Sequence, residues 1–214
     1  METQWFKHLP STHRYLIEKI KERTITPPYA IGVDFQSDGV GSRGNFWEGE
    51  EGNLYLSFCV EEKHLPKDLK LESISIYFSW IMREVLCELG STVWIKWPND
   101  FYIKNRKIGG VITTKIKDTI IGSIGLNILH APEQFATLDV QIAPQKLVQL
   151  FTEKLKEKIS WKNVFSKYKI EFQNSLGFTF HLDGKKKLLA DAKLLNDGSI
   201  EVENRRVYSL RWVR

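Results

Sequence analysis

Cysteine is scarce. Only Cys59 and Cys87 occur in 214 residues, far apart and without Cys-x-x-Cys or Cys/His spacing, which argues against a zinc site or a disulfide framework. Long apolar runs are missing as well. The longest uncharged stretch, Thr119 to Pro132, contains Asn127 and His130 and falls short of the roughly 20 apolar residues a membrane-spanning helix needs. The amino terminus carries Glu2 and no apolar segment before a small-residue cleavage site, so it does not read as a signal peptide and a cytoplasmic protein without a membrane partner is expected. With 42% hydrophobic and 27% charged residues, the composition also excludes disorder and collagen-like repeats.

The net charge of +5 is unevenly placed. Residues 146–214 hold 15 Lys/Arg against 8 Asp/Glu, which leaves residues 1–145 slightly acidic. Such a bias suits nucleic acid, a membrane surface or an acidic protein partner, and does not by itself choose among them.

Hydrophobic periodicity predicts a helix from Ser11 to about Arg23 and strands over Tyr29 to Phe35 and Asn53 to Val60. A one-faced helix follows from about Glu72 to Leu89, with Gly90 at its stop. Thr92 to Trp97, Phe101 to Thr114 (broken at Asn105-Arg106) and Thr119 to Leu129 then read as an antiparallel meander. Two amphipathic pieces, one after Pro144 and one over Asn163 to Phe172, precede a tail of short β-like runs separated by Asp183-Gly184 and Asn196-Asp197-Gly198. The fold class expected is α+β: a mixed, mainly antiparallel sheet with helices packed on it, then a small C-terminal β-barrel. The expected boundary falls between a larger α+β part, residues 1–174, and a small β domain, residues 175–214.

Three segments carry candidate chemistry. Gln36 to Trp47 is glycine-rich, with Gly39, Gly41 and Gly44 beside Arg43; glycines let backbone N–H groups approach an anion, and an arginine adds a planar cationic fork. It is neither a P-loop nor a Rossmann fingerprint, since no Gly-Lys-Ser/Thr follows and the loop leads into a strand. By glycine content alone it reads more readily as a mobile surface loop. Lys96-Trp97-Pro98-Asn99-Asp100, followed by Lys107 and Gly109-Gly110, presents an amide and a carboxylate at a strand end, with a lysine on the return strand. A carboxylate there suits Mg²⁺ and a lysine suits charge developing on a phosphate, although Pro-Asn-Asp alone is an ordinary turn. Gly122 to Asn127 is a small-residue strand ending in asparagine, a pattern that also arises where a strand packs closely on another backbone.

In this order and spacing the segments resemble the biotin protein ligases, also called biotin–[carboxylase] ligases, through most of the chain. Ser11-Thr12-His13 is similar to the family's Ser-Thr-Asn, and Gln36 to Trp47 to its Gln-x-x-Gly-Arg-Gly-Arg-x-Gly-x-x-Trp loop. Lys96 to Asp100 with Lys107 and Gly110 matches the Lys-Trp-Pro-Asn-Asp and Lys-x-x-Gly elements, the most specific part of the likeness. Asn127 matches the strand-end asparagine, and the tail looks like the family's Src-homology-3-like domain.

The resemblance implies attachment of biotin, through a biotinyl-adenylate made from ATP, to one lysine of a biotin carboxyl carrier protein or domain. It implies that Ser11, Thr12, His13, Gln36, Gly39, Gly41, Ser42, Arg43, Lys107 and Gly110 serve biotin. Trp47, Asn99, Asp100, Asn127 and Lys107 would serve ATP, with Asp100 acting through Mg²⁺, and Lys107 and Arg43 would be catalytic. The departures are His13 in place of asparagine, and Val40 and Ser42 in place of the two loop arginines. Arg43 then either substitutes for that pair or the reactive adenylate leaks faster. Only ten residues precede Ser11, at most about 15 Å as helix, so a helix-turn-helix repressor module and DNA binding are not expected. The alternatives are a lipoate or octanoyl ligase or transferase of the related fold, and a basic nucleic-acid-binding module. An exposed sheet edge would suit a homodimer or carrier docking by strand pairing.

Overall fold

A computed structural model describes residues 1–41, 46–47 and 49–208. The expected Ser42, Arg43 and Gly44 lie outside the described residues.

The main sheet has seven strands in the order β1-β2-β5-β9-β8-β7-β6. They are β1 (Glu2–Leu9), β2 (Tyr29–Gln36), β5 (Leu54–Glu61), β6 (Trp94–Lys96), β7 (Asp100–Ile103), β8 (Arg106–Ile116) and β9 (Thr119–Leu126). All neighbours are antiparallel except β1 and β2. A short hairpin, β3 (Gly39–Val40) with β4 (Phe46–Trp47), lies inside the glycine-rich segment.

One face of the sheet carries α1 (Thr12–Lys21), whose Leu16 packs on Ile31, Cys59 and Ile121. The other carries α2 (Ile74–Glu88), α3 (Pro144–Lys156) and α4 (Trp161–Glu171). Phe58 joins these layers, with ring centroids 4.8 Å from Phe78 on α2 and 5.0 Å from Phe151 on α3. That contact explains Gly122, where a Cβ would lie 2.4 Å from Phe58 Cζ. Ser11 and Ser160 cap α1 and α4 through their side chains.

Three expectations need correction. The helix read as one-faced is buried on every side from Ile74 to Met82, because α3 and α4 close over its outer surface. The strand expected to reach Leu129 ends at Leu126: Asn53 Oδ1 accepts from the N–H groups of Ile128, Leu129 and His130 at 2.8, 3.0 and 3.1 Å, pulling the chain out of the ladder. Strand β1 was not foreseen, since Glu2 to Leu9 lacks alternation and is mostly exposed. It is an edge strand anchored by Trp5, whose Nε1 donates to Asp34 Oδ1 at 2.6 Å and whose ring fills the space a side chain at Gly32 would need.

The C-terminal part forms two small sheets, β10 (Thr179–Leu182) with β11 (Lys185–Leu188), and β12 (Lys193–Leu194), β13 (Ile200–Val202) and β14 (Arg205–Val207). Two indoles fasten it: Trp97 Nε1 donates to Gly198 O and Trp161 Nε1 to Asn196 O, both at 2.8 Å. No helix among the described residues is long and apolar enough to cross a membrane.

Candidate active site

Gln36 ends β2, Thr12 begins α1, and Lys107 and Gly110 lie on β8 opposite β7, which begins at Asp100. Together with His13, Gly41, Trp47 and Asn99 they line a single cavity of about 360 Å³. Apolar walls come from Leu56, Val111, Ile112 and Ile124.

At one end are the charged groups. Lys107 Nζ lies 2.7 Å from Asp100 Oδ1, each side chain about a quarter exposed. Gly110 pairs with Asp100 across the ladder, and a Cβ there would sit 2.9 Å from Asp100 Oδ1 and 3.7 Å from Lys107 Nζ. Only glycine leaves the ion pair undisturbed. Asn99 is held by both ends: its Nδ2 donates to Val111 O, and its carbonyl accepts from Val111 N at 3.1 Å.

At the other end is a buried polar floor. Gln36 Oε1 accepts from Thr12 N at 2.9 Å and from Thr12 Oγ1 at 3.2 Å. Ser57 Oγ bonds Thr12 Oγ1 at 2.8 Å and Ser123 Oγ at 2.7 Å. Ser123 Oγ meets His13 Nδ1 at 2.8 Å, and His13 Nε2 meets Thr114 Oγ1 at 3.1 Å. Burial, with the charge of Arg14 second, pushes the His13 imidazole down to about 4, so it is neutral at pH 7. In the sequence Ser57, Thr114 and Ser123 read only as parts of strands, with no role of their own. Direct register pairing of Ser57 with Ser123 is what brings the hydroxyls together.

Between the two ends, the indole of Trp47 lies on Gly125, where a Cβ would come within 3.1 Å of its ring. Trp47 Nε1 is buried and has no hydrogen-bond partner among the described residues; an unpaired buried donor is costly, and this one stands at a cavity wall.

Three expected residues, Ser11, Gly39 and Asn127, sit outside the lining. Ser11 uses its hydroxyl to accept from Arg14 N, capping α1. Asn127 braces the segment behind the cavity: its N–H donates to Ile108 O at 2.7 Å and its carbonyl accepts from Leu138 N at 2.8 Å. Gly39 packs on Gln36, where a Cβ would lie 2.4 Å from Nε2.

A model of the biotin/lipoate A/B protein ligase family matches residues 5–129. The chain belongs to this family. Within the family, it is 35% identical over 106 residues to the bifunctional ligase/repressor BirA of Escherichia coli K12, a match covering 49% of this chain and 32% of that protein. The chain therefore spans about a third of that curated relative's length. A crystal structure of biotin acetyl coenzyme A carboxylase synthetase from Helicobacter pylori with bound biotinylated ATP superposes with a TM-score of 0.91 at 39% identity, over 97% of this chain and 99% of that one. The biotin protein ligase from Aquifex aeolicus in complex with biotin and ATP is alike in fold, at TM-score 0.77 and 24% identity over 98% and 96% of the two chains.

Proposed function

We propose that this chain is an ATP-dependent biotin protein ligase. It joins biotin to a carrier lysine through biotinyl-5′-AMP. One observation carries the reading: the cavity places a cation–carboxylate pair at one end and a buried hydrogen-bonding floor at the other, with apolar walls between. Biotin has that layout, with a carboxylate, four side-chain methylenes and a polar ureido ring. Burying the methylenes contributes about 3 kcal/mol, at roughly 0.8 kcal/mol each. The ureido group needs partners because unpaired buried polar atoms are expensive, and Thr12 and Gln36 supply them.

A biotin carboxylate oxygen attacks the α-phosphorus of ATP, the P–O bond to pyrophosphate breaks, and pyrophosphate leaves. The carrier amine then attacks the acyl carbon, AMP leaves, the amine loses a proton, and an amide remains. Lys107 neutralises charge that builds on the phosphate oxygens in the first step and on the departing AMP in the second. Asp100 holds Lys107 in place. Among the described residues no cluster of three acidic, histidine or cysteine side chains exists to hold a metal. A single Asp100 carboxylate fits magnesium that takes its other ligands from phosphates and water, and such an ion would withdraw charge from those phosphates.

We further read residues 1–174 as the catalytic domain and residues 175–214 as a Src-homology-3-like barrel. The open edge at β1 suits a second copy or the carrier. Incubation of the protein and a biotin carboxyl carrier domain with labelled biotin tests the proposal, with and without ATP and Mg²⁺ and with a parallel lipoate arm. Biotin on a lysine only when ATP is present is expected. Lipoate transfer alone, or no transfer, refutes it.

A further inference from the structure

The hydroxyl floor has a direction that follows from counting its protons, starting from the acceptor oxygen of Gln36. The oxygen of Gln36 only accepts, and it takes both the N–H and the O–H of Thr12. The single Thr12 proton is thereby used, so Ser57 donates to Thr12. Ser57's proton is then used, so Ser123 donates to Ser57 across their 2.7 Å contact. Ser123 has no proton left for the imidazole, so His13 Nδ1–H donates to Ser123. A neutral ring protonated at Nδ1 accepts at Nε2, so Thr114 donates to His13.

Every hydroxyl proton in the chain is spent internally. What Thr12 and Ser123, both at the cavity wall, have left for a ligand is a lone pair each. Gln36, also at the wall, has its Nε2 as the donor end. The floor therefore reads two acceptors beside one donor. We propose that Ser123 is a specificity-determining residue, held as an acceptor by the Nδ1–H tautomer of His13, a positioning residue. The complementary ligand presents two N–H groups beside a carbonyl, as a cyclic urea does. Naming biotin as that ligand rests on the function proposed above. A ring bearing an acceptor in place of the N–H that meets Ser123 would face lone pair to lone pair.

Two measurements test this. In the ¹⁵N-histidine-labelled free protein at pH 7, the His13 ring should show the neutral Nδ1–H pattern; an Nε2–H tautomer or an imidazolium overturns the proposal whatever the protein's substrate. The second measurement compares biotin with its two singly N-methylated ureido analogues as substrates for the unmodified protein and for Ser123→Ala. The substitution should raise KM for biotin about ten-fold with kcat changed by no more than about two-fold. For one of the two analogues, whose methyl has removed the N–H that Ser123 would accept, the substitution should carry no penalty. Equal penalties for all three substrates, or an unchanged KM for biotin, would assign Ser123 a packing role and overturn the proposal. Failure of the unmodified protein to use biotin refutes the parent function and the ligand named here, while the imidazole spectrum still decides the direction of the chain.

Discussion

The ammonium of Lys107 and the carboxylate of Asp100 meet at 2.7 Å across the β7–β8 ladder. The pair is three-quarters withdrawn from solvent and faces the cavity. A lysine already ordered by a carboxylate needs little reorganisation when phosphate charge develops beside it, which is where preorganised groups gain their advantage.

Lys107→Ala should therefore be severe. Loss of one preorganised charge-stabilising group costs about 2.7–4 kcal/mol, or roughly 10²–10³-fold in kcat. Pyrophosphate release in the absence of carrier isolates the adenylation step. A loss confined to the transfer step would place Lys107 differently.

Gly110→Ala tests the same pair from the backbone side. The added Cβ would stand 2.9 Å from Asp100 Oδ1, so the carboxylate must rotate away from Lys107. Adenylation should fall about ten-fold or more, while Tm drops by less than about 4 °C, the shift expected for about 1 kcal/mol in a chain this size. A large Tm loss with intact adenylation would contradict the reading.

His13 makes stability depend on pH. Burial holds its folded pKa at about 4, below the ordinary 6.5 of an exposed imidazole, so between those values the unfolded chain binds more protons and stability rises with pH. The contribution is fully present above about 6.5, is lost as pH falls towards 4, and is worth on the order of 3 kcal/mol. Denaturant unfolding from pH 4 to 7.5 should show this slope, and His13→Asn should flatten it.

Trp97→Phe should loosen the C-terminal sheets without altering substrate use. The indole N–H that reaches Gly198 O is lost while most of the ring contact with Phe180 stays. Leaving a buried carbonyl unpaired costs about 1–3 kcal/mol. Faster hydrogen exchange across residues 179–207, with KM for biotin unchanged, is expected.

The charged end of the cavity was legible because its parts are local. Asp100, Lys107 and Gly110 belong to one hairpin, so strand and turn signals suffice to bring them together. The polar floor was only half legible. Thr12 and Gln36 stood out through the family resemblance, but Ser57 and Thr114 look like ordinary strand residues, and only the pairing of β9 with β5 on one side and β8 on the other makes a site of them. Asn127 stood out through the family resemblance, whereas the main-chain bonds by which it ties β8 to the segment at Leu138 had no signal in the sequence. The burial of α2 was not legible either, because nothing within Ile74 to Met82 says how many neighbours will close over it.

The parallel partnership of β1 with β2 reaches further than its exposed position suggests. Leu9 stands opposite Gln36, and the N–H groups of Ser37 and Asp38 bond to Leu9 O and Pro10 O. The crossover through α1 thus starts from a point clamped to the end of β2, and main-chain bonds there, added to the packing of α1, bring Thr12 to Gln36. Shortening or re-pairing the first nine residues would alter the height at which the floor is set. An affinity tag that perturbs β1 would consequently be read as a change in ligand affinity, although no residue of that strand lines the cavity.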